Sequence, residues 1–245
     1  MGLVDVGGRQ LYINCSGKGT PAVILEAGLD NASDAWSDFQ PRVAGFTRVC
    51  SYDRAGLGRS EAGPTPRTSQ AIVDDLHRLL SNAGGRGPYV MVGHSFGGMN
   101  ARLYAAQYPQ EVAGVVLVDS LHPDSLNRLR EILGETVWGA IASQTNQNEE
   151  GVDLIESSAQ VGAAGTLGST PLVVLTAGRR IAAPFSSPHL AARVEQLWLE
   201  LQDDSTSLSS NSAHIIAEGS GHCIQCDEPQ LVVDAIRQVV ESSRR

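Results

Sequence analysis

Six short strand-like runs separated by stretches of helical periodicity limit what this chain can fold into more than any other feature. They are Ala22–Leu25, Arg48–Tyr52, Tyr89–Val92, Val115–Val118, Leu172–Leu175 and His214–Ala217. Several are almost wholly apolar, as strands covered on both faces must be, because neither surface meets water. Between them, Thr68 to Ala83 carries Ile72, Leu76, Leu79 and Leu80 at helical spacing, and Gly98 to Gln107, His189 to Gln202 and Pro229 to Val240 also read as helices. Strands that alternate with helices predict an α/β fold whose mostly parallel sheet has helices on both faces. One earlier run, Arg9 to Cys15, alternates Leu11, Ile13 and Cys15 against Gln10, Tyr12 and Asn14, and predicts an antiparallel strand.

The rhythm breaks between Ser120 and Gly168, where the apolar spacing is helical but interrupted. That span reads as an insertion between two core strands. The expected organisation is therefore a core of 1–119 and 169–245 with a small helical cap at 120–168. Leu126, Leu129, Leu133 and Val137 can share one helical face there. With Trp138 and Ile141 they would either roof a pocket or pack the insertion to the core.

At 245 residues and 42% hydrophobic composition the chain suits a single globular unit with a full core. Its net charge of -9 comes without a basic stripe, which disfavours a nucleic-acid partner. No run approaches the roughly 18 apolar residues that cross a bilayer. Met1 to Leu11 lacks a basic region followed by an apolar stretch, so a cytoplasmic location is expected unless a leader has been removed. Cys15, Cys50, Cys223 and Cys226 are few and scattered, which reads as free thiols in a reducing compartment. The Cys223–Ile224–Gln225–Cys226 pair lies far from the early position of a thioredoxin-like motif and lacks a second ligand pair for zinc. It reads as two small packing residues. No cofactor is expected, and no His, Asp or Glu spacing suggests a metal site.

The chemistry concentrates at Gly93-His94-Ser95-Phe96-Gly97, where a strand leads in and a helix leads out. Glycines two before and two after a serine let strand and helix close around a strained turn, so that the hydroxyl stands free of the sheet edge. Such a hydroxyl still needs a base beside it. Among the six histidines, His222 in Gly219-Ser220-Gly221-His222 follows the last strand and comes after the serine in chain order. His94 reads as scaffold, and His77, His122, His189 and His214 as ordinary structural residues.

These segments resemble the nucleophile elbow and the histidine segment of the α/β-hydrolase superfamily. Ser51-Tyr52-Asp53-Arg54-Ala55-Gly56-Leu57-Gly58-Arg59-Ser60 is similar to that superfamily's loop after the fourth strand, and all three occur in the family's order. The resemblance implies an eight-stranded sheet, a Ser-His-acid triad with Ser95 and His222, and a small-molecule acyl substrate. It also implies an oxyanion hole of backbone N–H groups from Phe96 and from the loop at Ala27-Gly28-Leu29. Leu29 is the candidate donor there, and Gly28 would admit the substrate. Asp53 and Arg54 read as an ion pair bracing the loop beneath the site.

The acid departs from the family's usual pattern. After Leu172–Leu175 comes Thr176-Ala177-Gly178-Arg179-Arg180-Ile181, without a carboxylate. A smaller group of lipases carries the acid one strand earlier, which implies Asp119. Asp124, or a later residue such as Asp203 or Asp204, stays open. The expected activity is carboxylic-ester hydrolysis through an acyl-enzyme. Thioester hydrolysis, aminopeptidase action, acyl transfer, hydroxynitrile cleavage and a receptor with little turnover are the alternatives. A serine at the elbow disfavours the haloalkane and epoxide chemistries, which use a carboxylate there.

Overall fold

A computed structural model of the chain describes residues 2–145, 147–179 and 187–244. Side chains of residues 136 and 140–145 lie outside the described set. In chain order the elements are β1 (Gly2–Asp5), β2 (Gln10–Ser16), β3 (Ala22–Glu26), α1 (Gln40–Ala44), β4 (Val49–Tyr52) and α2 (Ser69–Asn82). Then follow β5 (Tyr89–His94), α3 (Phe96–Gln107), β6 (Val112–Val118), α4 (Ser125–Thr145) and α5 (Leu154–Gly162). The last are β7 (Leu172–Ala177), α6 (Pro188–Thr206), β8 (Ser212–Ala217), α7 (Ile224–Asp227) and α8 (Pro229–Ser242).

The eight strands form one sheet in the order β1-β2-β4-β3-β5-β6-β7-β8. Pairing is antiparallel for β1–β2 and β2–β4 and parallel from β4 onward. This is the mostly parallel α/β architecture expected from the strand and helix rhythm. Successive side chains of a strand point to opposite faces, and the central strands use that period to build two cores. Met91, Val115, Leu117 and Val174 face one side, with Ile72, Leu76, Leu79, Met99 and Leu103 of α2 and α3. Val90, Val92, Val116, Val118, Val173 and Leu175 face the other, with Val43 of α1 and Val232, Ile236 and Val239 of α8.

The sequence does not announce β1. Its four residues are exposed or half-buried, so no apolar alternation marks it. Helix α2 starts where the Thr68 side chain accepts from the Ala71 N–H at 3.3 Å, which satisfies one of the first-turn donors.

The span 120–168 divides in two. α4 is broken at Gly134 (φ 73°, ψ 162°), a conformation outside the helical range. The single face predicted for Leu126, Leu129, Leu133 and Val137 therefore does not continue past the break, and Val137 is exposed. Leu126 packs against the first core, Leu129 and Leu133 are half-buried, and Trp138 is buried. Ile141 falls among side chains outside the described residues. After α4, Val152, Leu154 and Val161 join the first core. There the backbone of Arg67 pairs with Gly151 and Asp153 at 2.8 Å each.

The cysteine reading is overturned. Cys15 and Cys50 form a disulfide, as do Cys223 and Cys226, and no described cysteine is free. Cys15 and Cys50 are register partners in the β2–β4 ladder with Cα atoms 4.1 Å apart. Sequence spacing cannot reveal a cross-strand partner 35 residues away. The inference of a reducing compartment thereby loses its basis, since disulfides persist in oxidising ones. No described helix is long and apolar enough to cross a membrane.

A loop closed over 35 residues restricts the unfolded chain by roughly 3–4 kcal/mol in the chain-entropy account. The pair Cys15→Ser with Cys50→Ser should therefore lower the thermal midpoint by roughly 10 °C. Differential scanning calorimetry checks this, and an unchanged midpoint would show that the bond contributes no stability.

Candidate active site

The site lies at the carboxyl ends of the parallel strands, where an open α/β sheet offers a crevice. Ser95 ends the β5 turn with φ 54° and ψ −124°, in the left-handed half of backbone space that only a constrained residue occupies. Glycine is required around it by close packing. A Cβ on Gly97 would fall 2.4 Å from the carbonyl oxygens of Glu26 and Ala27, and one on Gly93 would fall 2.4 Å from the Gly97 carbonyl. α3 begins at Phe96, two residues before the predicted start, because Gly97 and Gly98 serve close approach and do not break the helix.

Among the described residues two more non-glycine residues have positive φ, Asp30 at 58° and Asp119 at 41°. One directly follows Leu29 and the other directly follows the end of β6. Strain of about 1–3 kcal/mol per residue persists only where the surroundings enforce it, and such residues gather at functional sites.

His222 lies in the loop after β8. Its Nδ1 is 2.6 Å from Asp119 Oδ2. Asp119 is fully buried, and its Oδ1 accepts from the Ala177 N–H at 3.1 Å and the Trp198 Nε1–H at 3.0 Å. The Trp198 ring meets His222 edge-on at 6.4 Å between centroids. The remaining acid candidates are placed elsewhere. Asp124 is exposed, Asp203 pairs with His214 at 3.6 Å and Asp204 with His122 at 3.2 Å.

His94 braces the histidine segment from below. Its Nε2 is 2.9 Å from the His222 carbonyl, an acceptor, so Nε2 carries the proton and Nδ1 is bare in the neutral ring. Burial, assisted by the charge of His222 with ring centroids 4.7 Å apart, lowers its pKa to about 4. Gly28 lies against this pair: a Cβ there would sit 3.2 Å from His94 Nδ1 and 3.5 Å from Ser95 Cβ. Leu29 is half-buried and Phe96 buried. Among the described residues neither backbone N–H donates to a protein acceptor.

The expected Asp53–Arg54 ion pair does not form. Asp53 accepts from the backbone N–H groups of Ser33 and Arg59, at 2.7 and 2.8 Å. Arg54 turns the other way and pairs with Glu26 at 2.8 Å and Glu150 at 2.6 Å, all three buried. Tyr52 also donates to Glu26. Burial raises the Glu26 pKa despite the neighbouring guanidinium. Burial works against the Arg54 charge, but the hydrogen bonds and charges of Glu150 and Glu26 outweigh it and hold its pKa above the ordinary value. No local motif announces Trp198 or Glu150, which reach their partners Asp119 and Arg54 from 79 and 96 residues away. Among the described residues no group of three or more His, Cys, Asp or Glu side chains could hold a metal ion.

A family model described as the alpha/beta hydrolase fold matches residues 21–162, more than half of the chain. The chain belongs to the α/β-hydrolase fold family. An uncharacterised protein of Bacillus subtilis strain 168, YqjL, is 31% identical over 220 residues, covering 89% of this chain and 82% of its own. Among solved structures, this α/β-hydrolase chain is similar to a thermophilic esterase from Thermogutta terrifontis, with a TM-score of 0.67 at 21% identity over 97% and 95% of the two chains. It is also similar to an esterase from Exiguobacterium antarcticum, with a TM-score of 0.68 at 16% identity over 98% of each. At those identities the likeness is one of fold.

Proposed function

We propose that this α/β-hydrolase chain is a serine hydrolase that cleaves carboxylic esters, or similar acyl compounds, through an acyl-enzyme on Ser95. The observation that carries the reading is the buried Asp119 carboxylate 2.6 Å from His222 Nδ1, downstream of a serine held at φ 54°. A carboxylate on Nδ1 keeps the proton there, which leaves Nε2 as the base for the Ser95 hydroxyl.

In the first half-reaction the Ser95 Oγ attacks the acyl carbon while His222 Nε2 takes its proton. The negative charge that develops on the carbonyl oxygen is met by the N–H groups of Phe96 and Leu29, fixed dipoles that need no reorganisation. The tetrahedral species collapses as His222 returns the proton to the leaving alkoxide. Water, deprotonated by the same nitrogen, then attacks the acyl-enzyme, and Ser95 leaves with the proton. Asp119 stabilises the transient imidazolium in both halves.

The 120–168 insertion serves as the cap of this site, with Leu126, Leu129, Leu133 and Trp138 as its apolar contribution to substrate binding. Such a surface suits a small or medium uncharged acyl compound. Two disulfides favour an oxidising compartment as the place of action. A burst assay with a chromogenic short-chain ester separates enzyme from receptor. Linear turnover well beyond one equivalent of product is expected, whereas release that stops at one equivalent would contradict the hydrolase reading and favour a binding protein.

A further inference from the structure

Arg54 sits beneath the loop that carries Leu29, and all five of its N–H donors are used. Nη1 donates to Glu26 Oε1 at 2.8 Å and to the Ala27 carbonyl at 2.7 Å. Nη2 donates to the Gly28 carbonyl and to Glu150 Oε1, both at 2.6 Å, and Nε donates to Glu150 Oε2 at 2.6 Å. One guanidinium therefore holds two consecutive backbone carbonyls and two carboxylates, in a site where it is 2% exposed.

The Gly28 carbonyl and the Leu29 N–H belong to one peptide group, which is trans. In a planar trans peptide the two bonds point in opposite directions. Drawing the carbonyl onto Arg54 thus turns the Leu29 N–H away from the buried cation, and Gly28 itself lies beside Ser95, a Cβ on it falling 3.5 Å from Ser95 Cβ. A cation on the carbonyl also polarises the peptide, which strengthens the N–H as a donor. Glu150 fixes the other flank: its Oε1 accepts from the Asp30 N–H at 2.7 Å, and its own N–H donates to Asp30 Oδ1 at 3.1 Å. Asp30 follows Leu29 directly and has φ 58°. The Arg54 guanidinium also lies 5.6 Å from the centroid of the Phe96 ring, so the loop and the start of α3 share one support.

We propose that Arg54, clamped between Glu26 and Glu150, is a positioning residue that sets the direction and donor strength of the Leu29 N–H toward the acyl oxyanion. Glu150 comes from the insertion, so that segment contributes to the transition-state machinery through Arg54 and Asp30 as well as covering the site. The proposal rests on the acyl-enzyme reading, because only a developing oxyanion rewards a fixed Leu29 N–H.

The test compares wild type, Arg54→Lys and Glu150→Gln. Each is assayed for kcat and KM on a short-chain chromogenic ester and for the affinity of an alkyl trifluoromethyl ketone, whose hemiketal oxyanion occupies the same donors. A lysine keeps the charge between Glu26 and Glu150, but its three donors cannot reach both carbonyls and both carboxylates. Arg54→Lys should lower kcat/KM and ketone affinity together, on the order of 10²-fold, with KM changed little. Glu150→Gln keeps an acceptor for Arg54 and removes the charge, so a parallel loss of roughly tenfold is expected. Loss of fold alone would move the melting midpoint without a matched fall in ketone affinity per folded molecule.

A cooperatively folded variant that binds the ketone as wild type does would overturn the positioning role and leave the hydrolase reading intact. Where Arg54→Lys fails to fold, Glu150→Gln alone decides in the same way. A wild type that neither turns over the ester nor binds the ketone overturns the hydrolase reading and the positioning role with it.

Discussion

Asp119→Asn should lower ester turnover by about 10⁴-fold while the fold survives. The direction follows from which oxygen each partner uses. Ala177 N–H and Trp198 Nε1–H both donate to Oδ1, so an asparagine at 119 keeps its carbonyl oxygen on those donors. Its amide nitrogen then replaces Oδ2, the atom 2.6 Å from His222 Nδ1. A donor facing Nδ1 makes that nitrogen the acceptor and moves the ring proton to Nε2. The ring can then no longer take the Ser95 proton. The substitution preserves shape and two hydrogen bonds, so thermal midpoints should stay close. Steady-state kinetics on a short-chain ester at neutral pH checks this, and activity near wild type would mean that His222 is oriented by another group.

Ser95→Ala should remove turnover almost completely, by roughly 10⁶-fold, since without the hydroxyl no acyl-enzyme forms and only binding and oxyanion stabilisation remain. Stability should barely move. The Ser95 side chain makes no capping hydrogen bond to α3, and alanine at φ 54° is strained no more than serine. A change in the unfolding free energy within about 0.5 kcal/mol is expected. This split between activity and stability distinguishes a reacting group from a structural serine. A variant that lost turnover only in step with its melting temperature would point to the structural role.

Much of this fold was legible because it rests on local periodicity. Leu172–Leu175 and Val115–Val118 read as strands covered on both faces, and their side chains divide between the two cores. The elbow was legible for the same reason: its glycines, its strand and its helix are adjacent in sequence. What escaped lies in long-range placement. Adjacency in sequence suggests Asp53 as the partner of Arg54, yet the two side chains take different partners, one backbone amides and the other Glu26 and Glu150. Cys15 and Cys50 looked scattered because their pairing exists only in the β2–β4 register. Trp198 is one apolar residue of a surface helix until α6 packs beside β7 and aims its indole at Asp119. The break of α4 at Gly134 was equally invisible, since a single glycine inside a helical pattern is usually tolerated.

In the proposed mechanism Ser95 is the one nucleophile activated to form a covalent acyl intermediate. A fluorophosphonate probe reacts with such a serine and leaves unactivated hydroxyls alone. Intact-mass and peptide-level mass spectrometry of the labelled protein should find one adduct, on the peptide containing Ser95, and none in Ser95→Ala. An adduct on another residue, or no adduct on a folded chain, would contradict the account.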